Sequence, residues 1–190
     1  MRPTKRDELV RKALAVFYRH GFHATGMDRL VAETGISKTS MYKHFRSKDD
    51  LILATLRLRD EEFRNWFTRR IEALAPDART RLLAIYDVLG EWFDGKGFSS
   101  CMFIKASGEY PDASDPIHAL AVEHKRLLEN YVIGLAAEAG ASEPQTLARQ
   151  LILLAEGAIV TAHLLGTANV AQPARAAAKV LIDNAITGKN

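Results

Sequence analysis

The chain is poor in cysteine: Cys101 is the only thiol among 190 residues. No internal disulfide is possible, and a reducing compartment is the expected setting. Long apolar runs are lacking too. No uninterrupted stretch approaches the roughly eighteen residues of a membrane span, and the first twenty residues are charged rather than apolar. No membrane partner is expected, and the cytoplasm is the expected location. The third shortage is local. Residues 1–48 hold only four acids (Asp7, Glu8, Asp28, Glu33) against eleven Lys or Arg, a balance of +7, while the remainder has 15 basic and 19 acidic residues, a balance of −4.

The rest of the composition, 47% hydrophobic and 26% charged, is that of a folded chain able to bury a core without staples. The length allows one large or two small domains. A basic head on a slightly acidic body points to an anionic polymer as the head's partner; a merely solvated basic surface is the alternative.

The head reads as a series of short, punctuated helices. Thr4, with Asp7 three residues on, opens a helix over about 5–20, whose Leu9, Val10, Ala13, Leu14, Val16 and Phe17 recur at helical spacing. Gly21 ends it. Thr25 with Asp28 is expected to cap a second helix over about 27–34, ended by Gly35. Ser37 opens a third over about 38–44, on which Met41 and Phe45 lie four apart and face one core. Ser47 with Asp50 then launches a long helix to about Leu74, before Pro76. The joint Gly35-Ile36-Ser37 has the length and chemistry of a helix-turn-helix. The third helix would present Lys38, Thr39, Ser40 and Lys43 outward, toward phosphates and base edges of a major groove, with Lys48 doing the same from the far side.

The run Gly21-Phe22, Thr25, Met27, Leu30-Val31, Thr34 to Lys38, Met41-Tyr42, His44-Phe45, Ser47-Lys48 and Leu51 resembles the DNA-binding domain of the TetR family of transcriptional regulators. The resemblance covers about residues 5–55. It implies an all-α homodimeric repressor of about nine helices, with a three-helix DNA-binding domain (1–48) and a larger helical effector-binding and dimerisation domain (49–190). By that resemblance Thr39, Ser40 and Lys43 are base-reading or groove positions. Thr25, Tyr42, His44 and Lys48 resemble the phosphate-contacting set, with His44 alternatively reaching a base. The operator sequence is not implied.

Rival chemistry in the head is incomplete. Ser40-Met41-Tyr42-Lys43 fits S-x-x-K, but no Ser-Asp-Asn or Lys-Thr-Gly partner follows. His20 and His23 lack further ligands nearby. No catalytic residue, metal site or cofactor is expected.

Beyond about residue 55 physical patterning carries the reading. The long helix offers Leu53, Leu56, Phe63, Trp66, Phe67 and Leu74 as an apolar set, with Asp60 and its charged neighbours as a solvated face. A helix over about 77–94 ends at Gly95-Lys96-Gly97. The segment from Phe98 to Asp112 resembles a short helix beside the effector cavity in one subgroup of that family. Cys101, Met102, Phe103, Lys105 and Glu109 mix soft, aromatic and charged groups suited to a small-molecule pocket; ordinary core is the alternative for each singly. A sensing role for Cys101 also stays open. On a helix over about 117–139, His124 and Tyr131 lie seven apart on an apolar face. Trp92, Met102, Phe103, His124 and Tyr131 are therefore expected to line a site for a largely apolar effector, with a hydrogen-bonded core histidine as the alternative for His124.

The last two helices, about 144–166 and 171–187, are apolar on more than one side. Leu147, Leu151, Leu154, Ala158, Thr161 and Leu165 make one stripe, and Ile152, Ala155, Ile159 and Ala162 a second. One face is expected to serve a homodimer interface of four helices with two-fold symmetry. The expected function is a regulator that binds a near-palindromic double-stranded operator under effector control. The alternative is an all-helical small-molecule binding protein or enzyme with no specific DNA target.

Overall fold

Punctuation by caps and glycines gives the chain its helix boundaries. The computed structural model describes residues 4–166 and 168–186, and among them all regular structure is helical. The order is α1 (Lys5–His20), α2 (Met27–Thr34), α3 (Lys38–His44), α4 (Lys48–Leu74), α5 (Ala78–Phe93), α6 (Met102–Glu109), α7 (Pro116–Glu138), α8 (Pro144–Leu165) and α9 (Ala171–Ala185). The described residues form two compact units. One comprises those up to Phe63 with Cys101–His124; the other comprises Arg64–Ser100 and those from Lys125 onward. The first unit runs past residue 48 to Phe63 of α4 and also takes in α6 and the start of α7.

In the first unit the local signals act largely as read. Thr4 Oγ1 accepts from the Asp7 amide at 3.1 Å and the Asp7 carboxylate accepts from the Thr4 amide at 3.0 Å, so two orphan donors of α1 are satisfied reciprocally. Leu9, Val10, Ala13, Val16 and Phe17 bury the inner stripe. Gly35 is left-handed at φ +68°, and its N–H closes α2 on the Val31 carbonyl. Ser37 caps α3 by accepting from the Ser40 amide at 3.2 Å, and Met41 and Phe45 are buried. Thr25 corrects the reading. The N-cap of α2 is Gly26, with no side-chain bond. The Thr25 side chain is wholly buried and donates to the Gly21 carbonyl at 2.6 Å. A carbonyl left orphaned by the end of α1 has taken the hydroxyl first.

In the second unit α5, α8 and α9 pack on one another. Asp77 caps α5 by accepting from the Thr80 amide at 3.0 Å. Leu82, Ile85, Tyr86 and Leu89 are buried, and the Tyr86 hydroxyl donates to the Leu151 carbonyl at 2.8 Å, joining α5 to α8. Burial pushes that phenol upward. The expected stripes of α8 need correction: Thr161 and Leu165 are exposed, while Leu147, Ala148, Leu151, Ala155, Ala158, Ile159 and Ala162 are buried. A helix apolar on several sides does not announce its inner face by periodicity alone. By length and composition α8 is apolar enough to cross a membrane, but one side is buried in protein and Glu156 is held by Lys125 at 2.6 Å. On α4, Trp66 and Leu74 are exposed whereas Ile71 is buried.

Candidate nucleic-acid interface

The geometry of α3 follows from its two ends. Gly35 turns the chain out of α2, Ser37 starts the new helix, and Met41 and Phe45 seat it. Lys38, Thr39, Tyr42, Lys43 and His44 are left exposed, with Ser40 half-buried. The charges around it divide. Arg11, Lys12 and Arg19 of α1 are paired with Glu62 (2.6 Å), Glu8 (2.8 Å) and Glu33 (3.2 Å). No ion pair among the described residues engages Lys5, Arg29, Lys38, Lys43 or Arg46, all of them exposed, and Arg6 lies over the Phe45 ring at 4.9 Å. Arg11, Lys12 and Arg19 in the body of α1 are therefore paired, whereas Lys5 at its start, Arg29, and Lys38, Lys43 and Arg46 on and after α3 are left available. Arg29 and Arg46 were visible to sequence only as members of a charge count, because pairing and exposure are tertiary properties.

Two of the expected phosphate-contacting residues are engaged inside the protein. Thr25 is fully buried, so its side chain does not reach the surface. Lys48 is half-buried and its Nζ donates to the Phe22 carbonyl at 3.0 Å, which uses one of three donors. The two histidines of the His20–His23 pair face different partners: His20 Nε2 is 2.9 Å from Glu33, and the His23 ring lies on Tyr110 at 4.7 Å. Among the described residues no group of three metal-ligating side chains occurs.

The expected effector set falls in both units. In the first, Met102, Phe103 and His124 are buried; the Phe103 ring stacks on His124 at 3.7 Å and 11°. His124, 2% exposed, has Nδ1 2.7 Å from Asp60 Oδ1. Asp60 belonged to the expected solvated face of α4, and only the approach of α7 turns it inward into a partner. In the second unit Trp92 is half-buried and meets Phe98 edge-on at 5.0 Å. There the Tyr131 hydroxyl is buried with no hydrogen-bond partner among the described residues, and burial raises its pKa. Cys101 is buried in the first unit and forms no disulfide.

Known proteins share this arrangement. Residues 9–55 match the bacterial regulatory proteins of the tetR family. The chain is similar to a crystal structure of a TetR-type transcriptional regulator from Streptomyces avermitilis at 30% identity, covering 96% of this chain and 98% of that one with a TM-score of 0.79. It is also similar to a TetR-family transcriptional regulator from Streptomyces coelicolor, at 29% identity over 95% of each chain and a TM-score of 0.89. The HTH-type transcriptional regulator YjdC of Escherichia coli (strain K12) is 23% identical over 155 residues, 82% of this chain and 81% of that protein.

Proposed function

The chain belongs to the TetR family and is a DNA-binding transcriptional regulator rather than an enzyme, and we propose that it represses by reading a near-palindromic operator through α3 until a small molecule releases it. The observation that carries this reading is the outward face of α3, exposed and flanked by cations without ion-pair partners among the described residues. Thr39, Ser40 and Lys43 read bases or the groove, while Lys38, Tyr42, His44 and Lys48 hold phosphates, with Lys48 also bound to Phe22. Thr25 supports the head from within. The reader is residues 1–48; effector response and assembly belong to 49–190. The cytoplasm is the compartment in which this reading has it act.

TetR-family regulators act as dimers. For this chain we assign the interface to the outer sides of α8 and α9, where Leu153, Leu164 and Leu165 are 72%, 71% and 84% exposed and Val160 and Val180 are also exposed. Gly157, Ala176 and Ala177, exposed alongside them, allow close approach. Two heads reading successive major grooves sit about 34 Å apart or a multiple of it. The effector is a largely apolar small molecule. Within the first unit Met102 and Phe103 offer apolar and aromatic surface and His124 a polar contact; within the second, Trp92 offers aromatic surface and the Tyr131 hydroxyl, which has no hydrogen-bond partner among the described residues, a polar contact.

A gel shift against DNA flanking the protein's own coding region tests the reading. A specific complex that weakens with salt is expected; no such complex would leave a helical small-molecule binding protein. Mass spectrometry under native conditions should detect a co-purifying ligand, and thermal shift with that ligand should weaken in His124→Ala if the first unit holds it and in Trp92→Leu if the second does.

A further inference from the structure

We infer that Glu109 is a positioning residue for operator recognition: from the end of α6 its carboxylate holds the turn between α1 and α2 and so fixes the attitude of the helix-turn-helix. The inference rests on the DNA-reading function proposed above. Its basis is the set of bonds that hold Gly21, Phe22 and His23. The Phe22 amide donates to both Glu109 oxygens at 2.9 and 3.0 Å, and the His23 amide donates to Oε2 at 2.5 Å. The Phe22 carbonyl accepts from Lys48, and the Gly21 carbonyl accepts from Thr25. Phe22 therefore has its N–H held by an anion from α6 and its C=O held by a cation from α4.

Consecutive amides pointing at one carboxylate form an anion-binding nest, and bonds to an ionised acceptor are about twice as strong as neutral ones. Gly21 completes the fit. It sits at φ +81°, and a Cβ there would lie 2.8 Å from Glu109 Oε1. Tyr110, the next residue, faces Phe22 edge-on at 6.2 Å and carries the His23 ring, so the same end of α6 grips the turn's side chains as well as its backbone. One helical turn earlier, Lys105 Nζ donates to the Tyr18 carbonyl near the end of α1 at 3.2 Å.

This grip lies four residues before α2. An eight-residue helix is roughly 12 Å long, so a tilt of ~10° at the turn moves its far end by ~2 Å. Such a displacement carries α3 away from base edges while leaving its cations close enough to a phosphate backbone. Loss of Glu109 should therefore cost sequence discrimination more than general DNA affinity.

The test uses the full chain with Glu109→Ala and Glu109→Gln. Fluorescence anisotropy is measured against the flanking-DNA duplex and a scrambled duplex across a salt series, beside amide exchange at residues 22 and 23 and thermal unfolding. In Glu109→Ala, exchange should accelerate and affinity for the flanking duplex should fall about tenfold, with scrambled-duplex affinity and salt slope nearly unchanged. Glu109→Gln, which keeps one acceptor, should recover part of the discrimination. Unchanged exchange would show that there is no grip. Accelerated exchange with unchanged discrimination, or equal loss on both duplexes tracking a loss of folded protein, would reduce Glu109 to a structural clip. If the wild-type chain itself prefers neither duplex, DNA reading fails and the positioning role fails with it, whatever the exchange data show.

Discussion

The outer face of α3 and the outer faces of α8 and α9 are exposed for opposite reasons. Around α3 the surface is cationic and hydroxylic, which water solvates at little cost; along α8 it is Leu153, Val160, Leu164 and Leu165. Each exposed leucine left unburied forgoes about 2 kcal/mol. The first surface is tolerable alone and awaits a polyanion, whereas the second is a liability until another apolar face covers it. An unsatisfied surface thus states the chemistry of its partner, and the two faces ask for different ones.

The most damaging way to break the contrast is to make the second face resemble the first. The double variant Leu153→Lys, Leu164→Lys should be monomeric by sedimentation and lose at least about 100-fold in operator affinity, since one head then holds one half-site. A dimer that survives would remove α8 from the interface. Within the first face, Lys43→Ala should shift the preferred operator sequence by about tenfold, read by selection from a randomised duplex pool. Indifference to sequence would move base reading elsewhere.

A finer cut separates paired from unpaired cations. Arg46→Gln and Lys48→Ala should each lower the salt slope of DNA binding by about one, whereas Arg11→Gln, whose guanidinium is already on Glu62, should leave it unchanged. Equal slopes in all three would mean that pairing does not decide which cations meet phosphate. The smallest expected effect is at a purely local signal, the Asp77 cap. Thr80 holds the Asp77 carboxyl below its ordinary value, through its amide first and its hydroxyl second. The cap contributes fully above the ordinary carboxylate range and is lost as pH falls through the lower folded value. Asp77→Ala should lower the melting temperature slightly at neutral pH, and the difference should vanish in strong acid.

Boundaries were the most legible feature, because caps and left-handed glycines act within four residues. Thr4–Asp7, Ser37, Ser47 and Gly35 all behave as their spacing indicated. Thr25 failed as a cap because the competing Gly21 carbonyl depends on where α1 stops and how the turn folds back. The outward set of α3 was legible once Met41 and Phe45 fixed its inner side. Facing was not legible on α4 and α8. Asp60 looked like one acid in a solvated row until His124 met it, and α8 offered too many apolar residues for one stripe to stand out. Glu109 was visible only as a charged residue in a mixed helical segment.

By itself, then, the sequence determined an all-helical chain, the starts and stops of its helices, a basic head and the side chains that face out of α3. These depend on backbone capping, helical period and net charge, all of them short-range or additive. Tertiary structure decided which cations remain unpaired, which side of α8 stays bare, and that α6 belongs with the head through Glu109. Those outcomes depend on which groups from distant parts of the chain arrive within hydrogen-bonding distance. Glu109 and Phe22 are 87 residues apart in sequence, and no local pattern encodes their meeting.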